Sequence, residues 1–394
     1  MLKIFKFFYR LILTFFSIIK IYVITKKKSK KDKVLMFYFP VKIYQDNIYD
    51  LINFLKSKKN INKDNYEILL AYNHLSSSET IGKKKSFYLD LNYLKYIPFS
   101  GFFLNNIDIF LSSYLTYIFP PRSKNIYLSH DIYDSPMTEK RKEKKLFNKI
   151  NELDYIFASS SISKKYFLNK LKKYNKIIKP DVKNTGYLKL DNIYNIMRKK
   201  SQYQKNVVLI TPGFSNYFKD INLKNHLEDI IKEFIFKLKM KVIYRPHPLD
   251  LNFKGDYKFV KKIQNIFYKN SRFKLDNSIS YLNSFKLANF MVTDITSTAY
   301  TFSYSTNKPV IFFSPNEVKI IRDNSLKTNY FNDRKKIGIV VMNINGLKKT
   351  INFIDKNRVN LKKKIIITRN SRIEYFNNSK QKMFLEINKI ANNV

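Results

Sequence analysis

The chain contains no cysteine, and only 7 of its 394 residues are glycine. Without cysteine there are no disulfides, no thiolate catalysis and no cysteine-ligated zinc. With so few glycines there is no glycine-rich phosphate-binding loop, and 11 prolines leave little room for long low-complexity linkers. Acidic residues are also scarce, because 30 Asp and Glu stand against 74 Lys and Arg, a formal net charge of +44.

This excess of positive charge is typical of nucleic-acid-binding proteins. A nucleic-acid interface, however, concentrates its cations in one stripe with aromatic residues between them, whereas the lysines here are spread along the chain. The chain is also rich in Asn, Ile, Tyr and Phe, which like Lys have A/T-rich codons. We therefore interpret the charge as solvated lysine surfaces and expect no nucleic-acid partner. The alternative, a basic scaffold or nucleic-acid binder, predicts a steep salt dependence of binding.

Hydrophobic residues make up 44% of the chain and aromatic residues 16%, which is enough apolar material for packed cores. A length of 394 residues suits two domains of ordinary size. The composition therefore predicts a folded protein of two domains.

The first 25 residues are strongly apolar, but their longest uncharged run, Leu11–Ile19, is too short to span a bilayer core of about 30 Å. Polar residues recur every three or four positions and form one stripe of a helix: Lys3, Lys6, Arg10, Thr14, Ser17 and Lys20. The opposite face carries Ile4, Phe8, Leu11, Phe15, Ile18 and Tyr22. A basic segment follows at 26–31.

This pattern is typical of a helix that lies in a membrane interface with its lysines at the head groups. We predict that residues 1–33 form such an amphipathic helix and a basic linker, with a membrane surface as partner. Two alternatives are a helix docked on the protein's own core and a single membrane-spanning anchor. The charges of Arg10 and Lys20 argue against the anchor.

Apolar runs alternate with helical patterns along the rest of the chain, which predicts parallel α/β sheets. The predicted strands are 34–39, 66–72, 107–111, 125–129, 155–158, 206–211, 241–244, 288–293, 309–313 and 337–341. The predicted helices are 46–58, 138–152, one from 161, 221–238, 256–269, one from 297, and the C-terminal region. We predict two doubly wound domains facing a cleft, at 34–195 and 206–345, followed by C-terminal helices at 346–394. In such sheets ligands bind outside the carboxyl ends of the strands.

The motif Arg245-Pro-His-Pro248 directly follows one of these strands. The two prolines restrict the backbone on both sides of His247. A guanidinium that binds a phosphate through two parallel hydrogen bonds depends on its orientation, and His247 can donate to the same group. The alternative, equally supported by these four residues, is that Arg245 pairs with a local acid such as Asp250 while the prolines turn the chain.

A second motif, Thr293–Thr298, places an acid and three hydroxyl residues between a strand and the start of a helix. Backbone N–H groups at a helix N-terminus bind phosphate, and Thr296, Ser297 and Thr298 add side-chain donors. The alternative is an ordinary helix cap at Thr296 or Ser297. Asp294 disfavours a phosphate directly beside it, and suits a ribose hydroxyl or a histidine partner instead.

His130 follows a predicted strand of the first half and has Asp131 and Asp134 beside it. An imidazole near a carboxylate suits a general base that acts on a hydroxyl. A lone histidine after a strand is more often structural, but the strand end at His130 would face Arg245 and His247. No acidic or histidine cluster has metal-ligand spacing, so we expect no metal and no cofactor.

Taken in order, these motifs resemble the CDP-glycerol glycerophosphotransferase family, the enzymes of teichoic acid and some capsule synthesis. The resemblance runs from about residue 120 to 318. The residues that carry it are His130, Gly186–Asp191, Arg245–Pro248, Thr293–Thr298 and Lys308-Pro309. The chain departs from the family at Asp131, where the family has glycine. The local backbone conformation and the acceptor can therefore differ from those of the family.

The resemblance implies a GT-B-like fold whose second domain binds a CDP-linked donor. It implies that His130 is the catalytic base for the acceptor hydroxyl and that His247 acts at the donor pyrophosphate. The predicted donor-binding residues are Gly213, Arg245, Asp294, Thr296, Ser297 and Thr298.

On this resemblance the chain is a peripheral membrane transferase at the cytoplasmic face of a bacterial cell membrane. It moves glycerol phosphate or ribitol phosphate from a CDP-activated donor to a hydroxyl of a lipid-linked or polymeric glycan. A sugar-nucleotide glycosyltransferase of the same architecture, acting in capsule or lipopolysaccharide synthesis, is the alternative. The sequence leaves the donor base, the polyol and the oligomeric state open.

Overall fold

The structure is a computed structural model, and it describes most of the chain. The described residues are 2–28, 32–40, 48–58, 66–73, 85–129, 131–133, 140–199, 206–214, 223–251, 256–322 and 328–394. The chain divides into two compact units. The first comprises 1–131, 135–189 and 373–394, and the second comprises 132–134 and 190–372.

The elements of the first unit begin with the apolar N-terminal helix. In chain order they are α1 (Leu2–Lys26), β1 (Lys33–Phe39), α2 (Tyr49–Lys58), β2 (Tyr66–Tyr72), β3 (Ser86–Tyr88), a 3-10 helix (Leu91–Tyr96), α3 (Ser100–Phe103), β4 (Ile109–Ser112), β5 (Lys124–Leu128), α4 (Lys140–Ile150), β6 (Tyr155–Ala158), α5 (Ser161–Tyr174) and β7 (Asp181–Asn184). The helix α6 (Leu188–Lys199) begins in the first unit and ends in the second.

The second unit repeats the alternation of strands and helices. Its elements are β8 (Val207–Ile210), α7 (Leu227–Lys232), β9 (Lys241–Tyr244), α8 (Tyr257–Phe267), β10 (Phe273–Leu275), α9 (Leu282–Leu287), β11 (Phe290–Thr293), α10 (Thr298–Thr306), β12 (Val310–Phe313), α11 (Glu317–Arg322), α12 (Asn329–Ile337), β13 (Gly338–Val341), α13 (Gly346–Lys356) and α14 (Arg358–Arg372). The last helix, α15 (Ser379–Asn392), belongs to the first unit.

Both sheets are parallel and doubly wound. The first has the strand order β3-β2-β1-β4-β5-β6-β7, and the second has the order β10-β9-β8-β11-β12-β13. In each sheet the first strand along the chain lies beside a strand that comes three later, β1 beside β4 and β8 beside β11. At such a switch in strand order the connecting loops leave in opposite directions and open a crevice for a ligand. The predicted α/β class with two parallel sheets is confirmed.

The central strands are buried on both faces, and for this reason their sequences are continuous apolar runs that predict strands. In β1, Leu35 and Phe37 pack with α2 and α15 on one side of the sheet. Val34 and Met36 pack with Ile18 of α1 on the other. The alternation follows from the two-residue period of a strand, so one strand supplies two cores.

Three strands have no counterpart among the predicted ones, and all three lie at sheet edges: β3, β7 and β10. Each of these three strands has one strand neighbour and is only partly buried, so it lacks the apolar run that marks a central strand. Asp181–Asn184, for example, contains three polar residues out of four. The predicted helix at 221–238 is α-helical only over α7, and it ends in one π-helical turn at Glu233–Lys237.

The C-terminal helix α15 completes the core of the first unit. Its Met383 and Ile387 pack in the same cluster as Leu55 of α2. Gly186 lies close to the chain that leads into this helix, and it has a left-handed φ of 81°. A Cβ at this position would collide with the side chain of Ser379, so glycine meets both a conformational and a steric requirement there.

The N-terminal helix packs on the first unit by one face. Ile18 and Ile21 are buried in its core, and so are two members of the predicted polar stripe, Thr14 and Ser17. The Thr14 hydroxyl accepts a hydrogen bond from the backbone N–H of Asp90. The stretch Ile4–Lys26 is also long and apolar enough, by length and composition, to cross a membrane.

Candidate functional site

The side chain of Asp294 joins two loops at the crevice between β8 and β11. Asp294 follows β11 directly, and its Oδ1 accepts hydrogen bonds of 2.7 Å from the backbone N–H groups of Gly213 and Ile295. Its Oδ2 accepts a third, also 2.7 Å, from Leu223. Burial raises the pKa of this carboxyl, and the backbone donors oppose the rise. Asp294 therefore fixes the loop after β8 against the loop after β11.

Residues 211–214, directly after β8, are packed so tightly that only glycine fits at position 213. A Cβ at Gly213 would lie 2.6 Å from the carbonyl oxygen of Ile295 and 3.0 Å from Oδ1 of Asp294. The missing side chain lets the backbone N–H of Gly213 reach the carboxylate. Gly213 and Asp294 were both predicted as donor-binding residues, and the structure brings them into direct contact.

The hydroxyl residues that follow Asp294 form the start of α10. The Tyr330 hydroxyl accepts from the backbone N–H of Thr296 and donates to its carbonyl, which fixes the turn. Ser297 is the N-cap residue but makes no side-chain cap bond. The hydroxyls of Ser297 and Thr298 have no hydrogen-bond partner within the described part of the chain, and both side chains are half-buried. Ser297 and Thr298 therefore offer donors to a ligand.

His247 lies after β9, the strand on the other side of β8. Its Nδ1 accepts a hydrogen bond of 3.2 Å from the backbone N–H of Leu249, so the neutral imidazole carries its proton on Nε2. Its ring lies 5.3 Å from that of Phe214, which directly follows Gly213. Burial lowers the pKa of His247, and the charge of Asp250 opposes this. Nε2–H of His247 is thus a hydrogen-bond donor beside Phe214.

Arg245 is buried, and its two terminal nitrogens are engaged. Nη1 donates to Oδ2 of Asp276 at 2.7 Å and to the hydroxyl of Ser278 at 3.3 Å. Nη2 donates to the carbonyl oxygens of Ser278 and Ile279 at 2.8 and 3.2 Å. The acid that pairs with Arg245 is Asp276 after β10, and not the nearby Asp250 considered from the sequence. Direct contact of Arg245 with a phosphate stays a prediction, and it requires exchange of one of these partners.

Thr211 was not among the predicted site residues, although it directly follows β8. Its side chain is buried, and its Oγ1 has no hydrogen-bond partner among the residues that the structure describes. Its carbonyl oxygen accepts from the hydroxyl of Thr293 at the end of β11. A threonine at the end of an apolar run gives no signal in the sequence, because the same residue is common inside strands.

The proposed acceptor base, His130, lies outside the described residues. Its neighbour Asp131 is described, and the carbonyl oxygen of Asp131 accepts hydrogen bonds from the hydroxyls of Ser129 and Ser159. Among the described residues there is no group of three His, Cys, Asp or Glu that could hold a metal ion.

No protein-family model matches this sequence, and no curated protein matches it either. Its fold, however, is similar to that of solved enzymes. A variant of the wall teichoic acid polymerase TagF soaked with CDPG has a TM-score of 0.61 at 15% identity, over 95% of this chain and 94% of that one. A putative UDP-N-acetylglucosamine 2-epimerase from Listeria monocytogenes has a TM-score of 0.59 at 13% identity, over 91% and 96%. The S. aureus MnaA–UDP structure has a TM-score of 0.56 at 15% identity, over 92% and 98%. At these identities the similarity shows the fold alone, and the chain has a GT-B-like fold.

Proposed function

We propose that this protein is a transferase that moves glycerol phosphate or ribitol phosphate from a CDP-activated donor to a hydroxyl of a lipid-linked or polymeric glycan. One observation carries the proposal: Asp294 holds the Gly213 loop against the hydroxyl turn at the crevice between β8 and β11, with His247 beside them. This crevice is where doubly wound sheets bind nucleotides. The TagF structure soaked with CDPG has the same fold and supports a CDP-linked donor.

The proposed reaction requires that negative charge be stabilised on the departing nucleotide. The acceptor oxygen forms a bond to the phosphorus that carries the polyol, the bond from that phosphorus to CMP breaks, and the acceptor hydroxyl loses its proton. In our proposal Nε2–H of His247 and the hydroxyls of Thr296, Ser297 and Thr298 donate to the pyrophosphate oxygens. Fixed donors of this kind stabilise the charge that develops in phosphoryl transfer. Burial lowers the pKa of His247, which favours the neutral ring, in which Nδ1 accepts from Leu249 and Nε2–H is left to donate.

The remaining residues have supporting roles in this proposal. Asp294 shapes the site through backbone N–H groups and does not approach the phosphates itself, in keeping with its charge. Arg245 holds the loop after β10 and contributes its charge to the same strand ends. His130 takes the proton of the acceptor hydroxyl, and the reaction needs no metal or cofactor. The protein acts as a peripheral enzyme on the cytoplasmic face of the bacterial membrane, bound through α1.

The alternative is transfer of a sugar from a sugar nucleotide. It is favoured by the solved structure of a putative UDP-N-acetylglucosamine 2-epimerase and by the MnaA–UDP structure, which have a similar fold. The two functions differ in the product: a CDP-polyol donor releases CMP, whereas a UDP-sugar donor releases UDP when the sugar is transferred.

A donor panel tests the proposal. The purified protein is mixed with CDP-glycerol, CDP-ribitol, UDP-N-acetylglucosamine and other UDP-, GDP- and CMP-sugars, in the presence of a membrane extract as the acceptor source. We expect release of CMP from a CDP-polyol, and loss of that release in the variants His247→Ala and His130→Ala. Release of a nucleotide only from sugar donors would establish the alternative, and unchanged CMP release in both variants would reject the proposed residues.

A further inference from the structure

The outer face of α1 is a stripe of large apolar side chains. Phe5 is 68% exposed and Phe16 is 56% exposed. The other members of the stripe are Ile4, Phe8, Ile12, Phe15 and Val23, each more than one-third exposed. They recur at the spacing of one helix face, while Ile18 and Ile21 on the inner face are buried in the core of the first unit. The stripe differs from the apolar face predicted from the sequence, because the protein itself covers Ile18.

A second segment presents exposed aromatic side chains beside this stripe. It runs from the end of the 3-10 helix into α3, residues 95–102, and it carries Tyr96, Phe99 and Phe102. The ring of Tyr96 lies 5.4 Å from that of Phe7 in α1. The ring of Phe102 lies 5.2 Å from that of Tyr22 near the other end of α1. Residues 95–102 therefore pack along α1, and we call their exposed apolar side chains together with the stripe the α1–95/102 surface.

Phe99 is the most exposed large apolar side chain on this surface, at 81%. Its backbone is left-handed, with a φ of 57°. A bulky residue in this conformation costs about 1 kcal/mol or more relative to glycine or asparagine. Neither burial nor backbone preference explains a phenylalanine at this position, so the structure gives it no role within the fold.

The charges around the surface are positive. Lys6, Lys20, Lys26, Lys27 and Lys95 are exposed, and they form no ion pair within the described ranges. α1 contains no acidic residue. The acidic groups nearest to it are already paired, Asp90 with Arg10 at 3.8 Å and Asp108 with Lys28 at 2.7 Å. A surface of exposed apolar side chains surrounded by lysines suits the boundary between acyl chains and anionic head groups.

We propose that residues 95–102 are a second membrane-contacting element, and that Phe99 inserts into an anionic lipid surface beside α1. The proposal deepens the membrane location given under the proposed function and rests on it. A second copy of this chain is a poorer occupant, because two such surfaces would bring like charges together. A lipid surface supplies the opposite charge and accepts every exposed aromatic without requiring a matching shape.

Vesicle binding tests the proposal without any substrate. The full chain is sedimented with phosphatidylcholine vesicles, with and without phosphatidylglycerol, and the bound fraction is measured against lipid concentration. Phe99→Asn removes the apolar side chain and inserts the residue that best tolerates a left-handed backbone. We expect this variant to bind mixed vesicles about fivefold to tenfold more weakly and to unfold at the same or a higher temperature. The matched controls Ile177→Asn and Phe353→Asn change exposed apolar residues elsewhere, 80% and 49% exposed, and should bind as the wild type does.

Two outcomes would overturn the proposal. If Phe99→Asn binds as tightly as the wild type while Phe8→Asn binds weakly, α1 alone contacts the membrane. If Phe99→Asn changes the mass of the protein measured by light scattering without changing vesicle binding, the surface joins two copies of the chain. The test is separate from that of the proposed function, since CMP release in detergent solution should be unchanged in Phe99→Asn. If the wild-type protein releases no CMP from a CDP-polyol but binds vesicles as expected, the proposed transferase is rejected and this inference stands.

Discussion

The carboxylate of Asp294 accepts the backbone N–H of Gly213 at 2.7 Å. The two residues are 81 positions apart in the chain. Asp294 directly follows β11, and Gly213 lies three residues after β8, the two strands at the switch in strand order. One side chain therefore sets the width of the crevice in which we place the donor phosphates.

Replacement of Asp294 by Asn should damage both the fold and the site. An amide has one acceptor oxygen and presents its NH₂ group to backbone donors, so at least one of three buried N–H groups loses its partner. We expect the free energy of unfolding to fall by about 2–4 kcal/mol. Chemical denaturation measures this change, and Asp229→Asn on the exposed side of α7 is the control. An unchanged free energy would mean that the bonds of Asp294 do not support the fold.

Gly213→Ala should impair donor binding more than folding. The added Cβ meets the carbonyl oxygen of Ile295, a backbone atom that cannot rotate away. We expect the loop to shift and the affinity for a CDP-linked donor to fall by about tenfold or more. Isothermal titration with CDP-glycerol measures this affinity. Gly346→Ala is the control, because its new methyl group meets the tip of the Val341 side chain. Normal donor affinity in Gly213→Ala would contradict the placement of the donor in this crevice.

The hydroxyls of Ser297 and Thr298 have no partner in the described protein, so their loss should leave stability unchanged. For Ser297→Ala and Thr298→Val we expect each KM for the donor to rise by about tenfold, as for loss of one hydrogen bond to a charged group. Steady-state CMP release gives KM, and thermal unfolding gives stability. Ser371→Ala in α14 serves as the control. A loss of stability with an unchanged KM would identify the two hydroxyls as structural.

His247 should make stability depend on pH. Burial holds its pKa below the ordinary value of 6.5, so the unfolded chain binds this proton more tightly than the folded protein. The contribution of His247 to folding is therefore complete above pH 6.5 and is lost as the pH falls below it. Protonation of Nδ1 also breaks the bond from Leu249. Denaturation at each pH measures this, and we expect wild-type stability to fall more between pH 7 and pH 5 than that of His247→Ala. Parallel curves for the wild type and His247→Ala would refute the lowered pKa of His247.

The buried pair of Arg245 and Asp276 should respond differently to single and double replacement. Their side chains are each 8% exposed. Arg245→Met leaves the carboxylate of Asp276 buried without its cation, and we expect a loss of about 3–5 kcal/mol of unfolding free energy. The double variant Arg245→Met/Asp276→Leu removes both charges, so its free energy of unfolding should fall less than that of Arg245→Met. If the double variant loses the sum of the two single effects, the residues do not interact.

The central strands were predictable because each is buried on both faces. The strands at 66–72 and 155–158 have the predicted bounds. β1 begins one residue earlier than predicted, and β8 is one residue shorter than predicted at both ends. The edge strand β10 could not be predicted in this way, since its residues are partly exposed and form no apolar run. The position of α15 could not be predicted either. Its helical pattern is present in the sequence, but the cluster that it packs against belongs to the first unit, far away in the chain.

The site was predictable in its chemistry and less so in its contacts. The order of Arg245, His247 and Asp294 after apolar runs indicated strand ends on one edge of a sheet. The sequence could not show that Asp294 bonds to Gly213, or that Arg245 pairs with Asp276 and not Asp250. Such pairings depend on which strands are neighbours, and that order arises only when the sheet assembles.

The sequence by itself determined the class of the fold, the positions of the strand ends and the residue types available there. These features follow from local patterns, since a strand buried on both faces is a continuous apolar run. Only the tertiary structure decided how those residues are used. The strand order places β9, β8 and β11 side by side, which brings His247, Gly213 and Asp294 to one crevice. Packing of α1 on the first unit likewise decided which of its apolar residues remain exposed beside Phe99. Both outcomes depend on contacts between residues distant in the chain, which no local pattern encodes.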